Sequence, residues 1–114
     1  MSTLPKPPDT FIEFITRFPD LGRAWEAARQ AERVGPLDER MCRLVKLAVA
    51  IGGRSEGAVH SATRKAIAVG VTADAIEQVI VLSASTVGVP RAVAAYSWVR
   101  EVLERRTESD GAPT

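Results

Sequence analysis

The chain has 114 residues, a length that makes one small domain with a modest core whose burial improves when copies associate. Fifteen Lys and Arg stand against fourteen Asp and Glu, a formal net charge of +1 with no block of like charges, which argues against nucleic acid or an anionic membrane as partner. The longest apolar runs, such as Val79 to Ala84, fall far short of the roughly 20 residues that span a bilayer, and the polar start is no signal peptide, so a cytoplasmic protein is expected.

The first nine residues, with Leu4-Pro5-Lys6-Pro7-Pro8, favour extended conformations and read as a flexible Pro-rich tail. A first helix is predicted over Thr10 to Phe18, carrying Phe11, Ile12, Phe14, Ile15 and Phe18. Asp20 then offers an N-cap for a second helix with Leu21, Ala24, Trp25, Ala28 and Ala31 at near-helical spacing, stopping near Gly35-Pro36. Asp38 offers a cap for a third, in which Met41, Leu44, Val45, Ala48 and Ile51 form a stripe ended by Gly52-Gly53.

The fourth helix, about Ser55 to Val69, has Ala58, Val59, Ala62, Ala66 and Val69 along one stripe and Glu56, His60, Thr63 and Arg64 on other faces. Gly70 suits a left-handed cap, and Thr72 the N-cap of a fifth helix with Asp74 in its first turn. From Val79 to Val89 every residue is small or apolar, so this helix must be covered all round, by other helices or by another subunit. Pro90 suits the first turn of a sixth helix with Val93, Tyr96, Val99, Val102 and Leu103 as its inner edge and Arg105-Arg106 at its end. Residues 107–114 read as a disordered tail. With helical spacing throughout and no period-two alternation, the predicted fold is all-α: six helices in a single domain over residues 10–106, with short loops between antiparallel neighbours.

The ordered set Leu44-Val45-x-Leu47-Ala48-Val49-Ala50, Arg64-Lys65-Ala66 followed by Gly70-Val71-Thr72, and Gly88-Val89-Pro90-Arg91-Ala92-Val93 resembles the carboxymuconolactone decarboxylase family, which also includes alkylhydroperoxidase D. The likeness covers Leu37 to Leu103. It implies an alkylhydroperoxidase D-like helical subunit that self-associates as a homotrimer or homohexamer, with pockets lined by helices near subunit boundaries. In the peroxidase branch the resemblance implies a Cys-x-x-Cys at the start of the fourth helix, a His one turn later, and a Glu on the preceding helix. Counted back from Gly70, the cysteines fall on Ser55 and Ala58, the His on Ala62 and the Glu on Arg43. In the decarboxylase branch a His is implied at Ala62 as well.

All four positions are changed, and Cys42 is the chain's one cysteine. A serine hydroxyl exchanges no disulfide, and alanine supplies neither nucleophile nor base, so the dithiol peroxidase cycle is physically closed to this chain. His60 is no substitute for the missing His, because at about 100° per residue it lies roughly 200° around the helix from Ala62. The face of Ser55, Ala58, Val59, Ala62 and Ala66 therefore reads as a packing face or an apolar pocket wall.

Glu56 and Arg64 lie four residues either side of His60, so Glu56 and His60 are either an acid and base covered by another subunit or ordinary helix-surface decoration. One His with one Glu is too few donors for a structural metal site, which normally takes four, and neither metal nor cofactor is expected. Cys42 beside Arg43 reads as a reactive thiol or a small buried residue. Ser55 reads as a nucleophile lacking a base or as a helix cap. Ser83, Ser85 and Thr86 can bond to the preceding turn or line a cavity. Arg43 is the most suggestive change, since a guanidinium by a pocket holds a carboxylate or phosphate through paired hydrogen bonds, although Glu39 or Glu56 can also pair with it. Trp98 and Tyr96 either edge such a pocket or belong to core or interface. The expected function is a non-redox, small-ligand-binding or structural oligomer. The alternative is a lyase, decarboxylase or isomerase acting on a small carboxylate or lactone, with Arg43 anchoring the acid and His60 or Glu56 moving a proton.

Overall fold

The computed structural model describes residues 8–109, and among them it contains six helices and no strand. They are α1 (Asp9–Arg17), α2 (Pro19–Ala31), α3 (Glu39–Gly52), α4 (Glu56–Ala68), α5 (Ala73–Val87) and α6 (Val89–Ser109). All six predicted helices are present. Residues 1–7 and 110–114, parts of the two expected tails, lie outside the described residues. Pro8 and Asp9 belong to the start of α1 instead, and α6 continues past the expected end at Arg106.

The chain divides into two compact units, one ending at Leu37 and one beginning at Asp38. In the first, α1 packs on α2, with Phe11 and Trp25 in an edge contact at 5.2 Å between ring centroids. A methyl group on Gly22 would stand 3.2 Å from Ile15 Cβ, so the glycine permits the close approach of these two helices. Asp20 does not cap α2. The N-cap is Phe18, Pro19 occupies the first turn, and Asp20 lies inside that turn in an ion pair with Arg23. Proline preset for the helix at N1 starts α2 earlier than a side-chain cap at Asp20 would. At its other end α2 stops at Ala31, short of Gly35-Pro36. Neither helix contains a buried residue, and Phe14, Leu21 and Trp25 are all exposed.

In the second unit each helix has two principal neighbours: α3 packs on α4 and α5, and α6 on α5 and α4. Side-chain caps start three of these helices. Asp38 accepts from the Met41 amide at 2.8 Å, Ser55 from Ala58 at 3.2 Å and Thr72 from Ala75 at 3.1 Å. Gly70 ends the α4 region at φ +91°, the left-handed geometry that glycine adopts without strain. Arg54 completes the α3–α4 turn at φ 57°, and Gly88 alone joins α5 to α6.

The core is built from Leu47, Ala50 and Ile51 of α3, Val59 and Ala66 of α4, Ile76 and Ile80 of α5, and Ala92, Ala95 and Val99 of α6, with Val71 between helices. Its members differ from the predicted stripes in three ways. On α3 the buried set turns about one residue from the predicted one, leaving Met41, Val45 and Ala48 exposed and burying Leu47 and Ala50. On α6 the small residues Ala92 and Ala95 face inward while Val93 and Tyr96 face outward, because alanines let helices approach closely. On α4 Thr63 is fully buried rather than outward-facing, and its hydroxyl donates to the Val59 carbonyl at 2.7 Å. The apolar α5 is not fully covered by the described residues: Val81 is 70% and Leu82 63% exposed.

Candidate functional site

The family-matched positions fall on α3 and α4, which pack together. Ser55 is exposed, and its Oγ is engaged as the cap of α4. Ala58 is exposed in the first turn, whereas Ala62 is partly buried against the core. Val59 and Ala66 are fully buried. The small-residue face predicted as one surface is thus divided: its centre is core, and Ser55 with Ala58 forms an exposed edge at the start of the helix.

Arg43 on α3 has a side chain 15% exposed, and its Nη2 stands 3.9 Å from the Glu39 carboxylate, beyond hydrogen-bond distance. Among the described residues its Nε is buried without a hydrogen-bond partner. A buried donor left unpaired costs about 1–3 kcal/mol. The guanidinium retains donors that a carboxylate or phosphate fits in paired geometry.

A second cluster lies on α4 and α6. The His60 side chain is 17% exposed, and its Nε2 meets Glu101 Oε1 at 2.8 Å and Glu56 Oε2 at 3.9 Å. Glu56 and His60 share a face because they are four residues apart on α4. Glu101 comes from α6, 41 positions away in the chain. Sequence reasoning paired His60 with Glu56 and missed Glu101, for which no local spacing gives a signal. With the third group, the candidate donor atoms all lie within 4.8 Å of one another.

The remaining candidates have ordinary surroundings. Cys42 is half-buried. Ser83 Oγ donates to the Ile80 carbonyl at 2.7 Å, one of the two roles expected of it, and Ser85 and Thr86 are exposed. Trp98 packs partly buried against the core. Tyr96 accepts at its hydroxyl from Arg100 Nη1 at 2.8 Å, and this bond, with Arg100's second bond to Glu104, raises the arginine's pKa further.

The Carboxymuconolactone decarboxylase family model matches residues 19–101, most of the chain, with α2 to α5 entire. The chain belongs to this family. The match begins earlier than the motif-based likeness at Leu37 and takes in α2. No curated protein and no solved structure matches the chain. Among the described residues no helix is long and apolar enough to cross a membrane. The six-helix, strand-free architecture agrees with the helical fold expected of the family.

Proposed function

We propose that this carboxymuconolactone decarboxylase family member is a non-redox oligomer that binds a small acidic ligand through Arg43. The observation that carries the reading is the buried, unpartnered Nε of Arg43. A site that keeps such a donor at a standing cost gains when an anion satisfies it. Two further features support the non-redox half. The chain's single cysteine cannot complete a two-thiol cycle. The Ser55 hydroxyl oxygen accepts from the Ala58 amide as the α4 cap, a structural role for the residue at the first cysteine position.

The oligomeric half is supported by exposed aliphatic side chains on three helices: Val45 and Val49 on α3, Val81 and Leu82 on α5, and Val89 and Val93 on α6. Exposed aliphatic side chains, where they adjoin, favour association because burying them removes apolar area from water. Self-association as a trimer or hexamer would cover it.

The test is a thermal-shift screen of small carboxylates, lactones and phosphates on the wild type and on Arg43→Ala. A ligand that binds only the native state raises Tm. The reading expects stabilisation by a carboxylate that Arg43→Ala abolishes. Stabilisation retained in the variant, or none from any compound, defeats it.

A second reading, a lyase or isomerase with Arg43 as anchor and His60 or Glu56 as acid and base, is favoured by one observation. His60 is oriented by Glu101 at 2.8 Å, as a general base is held by a carboxylate. Turnover of a stabilising ligand that disappears in His60→Gln while binding persists distinguishes this reading from binding alone.

A further inference from the structure

We infer that Glu56, His60 and Glu101 form a binding site for one divalent first-row transition cation per subunit, separate from the Arg43 anion site. Two carboxylates and one imidazole nitrogen converge from two packed helices. Glu56 and His60 are fixed at i and i+4 of α4, the spacing that points two donors at one centre. Glu101 closes the third side from α6, so every donor stands on a helix rather than on a loop.

The distances suit an ion. Ligand atoms 2.0–2.2 Å from a metal stand about 2.8–3.6 Å from one another across octahedral to tetrahedral angles. His60 Nε2 lies 2.8 Å from Glu101 Oε1, already at the edge of that range, and 3.9 Å from Glu56 Oε2, so Glu56 must move in by a few tenths of an ångström. The two carboxylate oxygens, within 4.8 Å of each other, must close up as well. The carboxylates have the freedom to make these shifts, being 44% and 56% exposed, while the imidazole at 17% is held in place.

Charge points the same way. Two carboxylate oxygens within 4.8 Å of each other repel, and a divalent cation between them balances both charges. With a cation on Nε2, the neutral ring carries its proton on Nδ1. The donor set decides the class of metal. An imidazole with two carboxylates suits zinc, cobalt or nickel, whereas magnesium and calcium take oxygen donors throughout. Three protein ligands are one short of a closed structural zinc site and leave a coordination position toward solvent.

The test uses the full chain without a polyhistidine tag, stripped with chelator and titrated with zinc chloride by calorimetry, with cobalt(II) as a spectroscopic probe. One equivalent per subunit is expected, with visible cobalt bands and a higher Tm in zinc. His60→Gln, which keeps a hydrogen-bonding group beside Glu101, should weaken zinc binding at least about tenfold. Glu101→Gln and Glu56→Gln should each weaken it too, whereas Cys42→Ser leaves it unchanged. Helicity measured on every variant separates a lost ligand from a lost fold. No saturable zinc binding, or binding that survives His60→Gln or Glu101→Gln in a folded variant, overturns the site.

Discussion

Arg91 Nη1 donates a 2.9 Å hydrogen bond to the carbonyl of Gly52, joining the first turn of α6 to the last residue of α3. The last carbonyls of a helix lack intrahelical partners and carry the negative end of its dipole, so a guanidinium there serves as both donor and counter-charge. Arg91→Met should lower stability by about 1–2 kcal/mol, read as a reduced urea midpoint at unchanged m-value. Arg91→Lys should recover part of the loss, since the charge remains.

Gly70 makes a second long-range junction. Its φ of +91° suits glycine, and a methyl group there would stand 2.9 Å from Arg40 Nη2. Arg40 Nε in turn donates to the neighbouring Val69 carbonyl at 3.2 Å. Gly70→Ala should cost about 1–2 kcal/mol in chemical denaturation, mostly from the backbone. Combining it with Arg40→Ala should relieve only the steric share, so most of the Gly70→Ala penalty should persist against an Arg40→Ala background.

Thr63 tests whether a buried hydroxyl matters to α4. Its donor is satisfied by the Val59 carbonyl at 2.7 Å, within its own helix. Thr63→Val keeps the shape and removes the polar group, so stability should change by less than about 0.5 kcal/mol. Thr63→Ser leaves a methyl-sized void among fully buried neighbours and should cost about 1 kcal/mol. Thermal or urea unfolding of the two variants distinguishes packing from hydrogen bonding at this position.

Arg43→Met should separate binding from stability. Removing the buried, unpartnered Nε relieves a desolvation penalty, so the ligand-free variant should be about 1 kcal/mol more stable than the wild type. The same variant should lose all stabilisation by small carboxylates in a thermal-shift assay. A residue retained only for packing would give the reverse, a less stable protein with no ligand effect.

Hydroperoxide reduction offers a direct check on the non-redox reading. With one cysteine in the chain, no turnover above the buffer rate is expected with a dithiol reductant, and Cys42→Ser should behave as the wild type. Cys42-dependent turnover would overturn that reading.

The sequence by itself determined the helices and most of their ends. Asp38, Ser55 and Thr72 each cap an amide three residues ahead, and Gly70 takes its left-handed conformation in place, so these signals are local and readable in order. At Pro19 the signal was equally local, but Asp20 competed with it and the proline set the start of α2. Composition also shows a single cysteine, and the ordered motifs pointed to the family that the match over residues 19–101 establishes.

Only the tertiary structure decided which face of each helix turns inward and which distant groups meet. Periodicity locates a stripe to within about one residue, whereas the close approach of Ala92 and Ala95 depends on the neighbouring helix as well. The bonds of Arg40 to Val69, Arg91 to Gly52 and His60 to Glu101 span 29, 39 and 41 positions. No local spacing encodes such pairs, because they arise when four helices close around a common core and bring together side chains that the linear chain keeps apart.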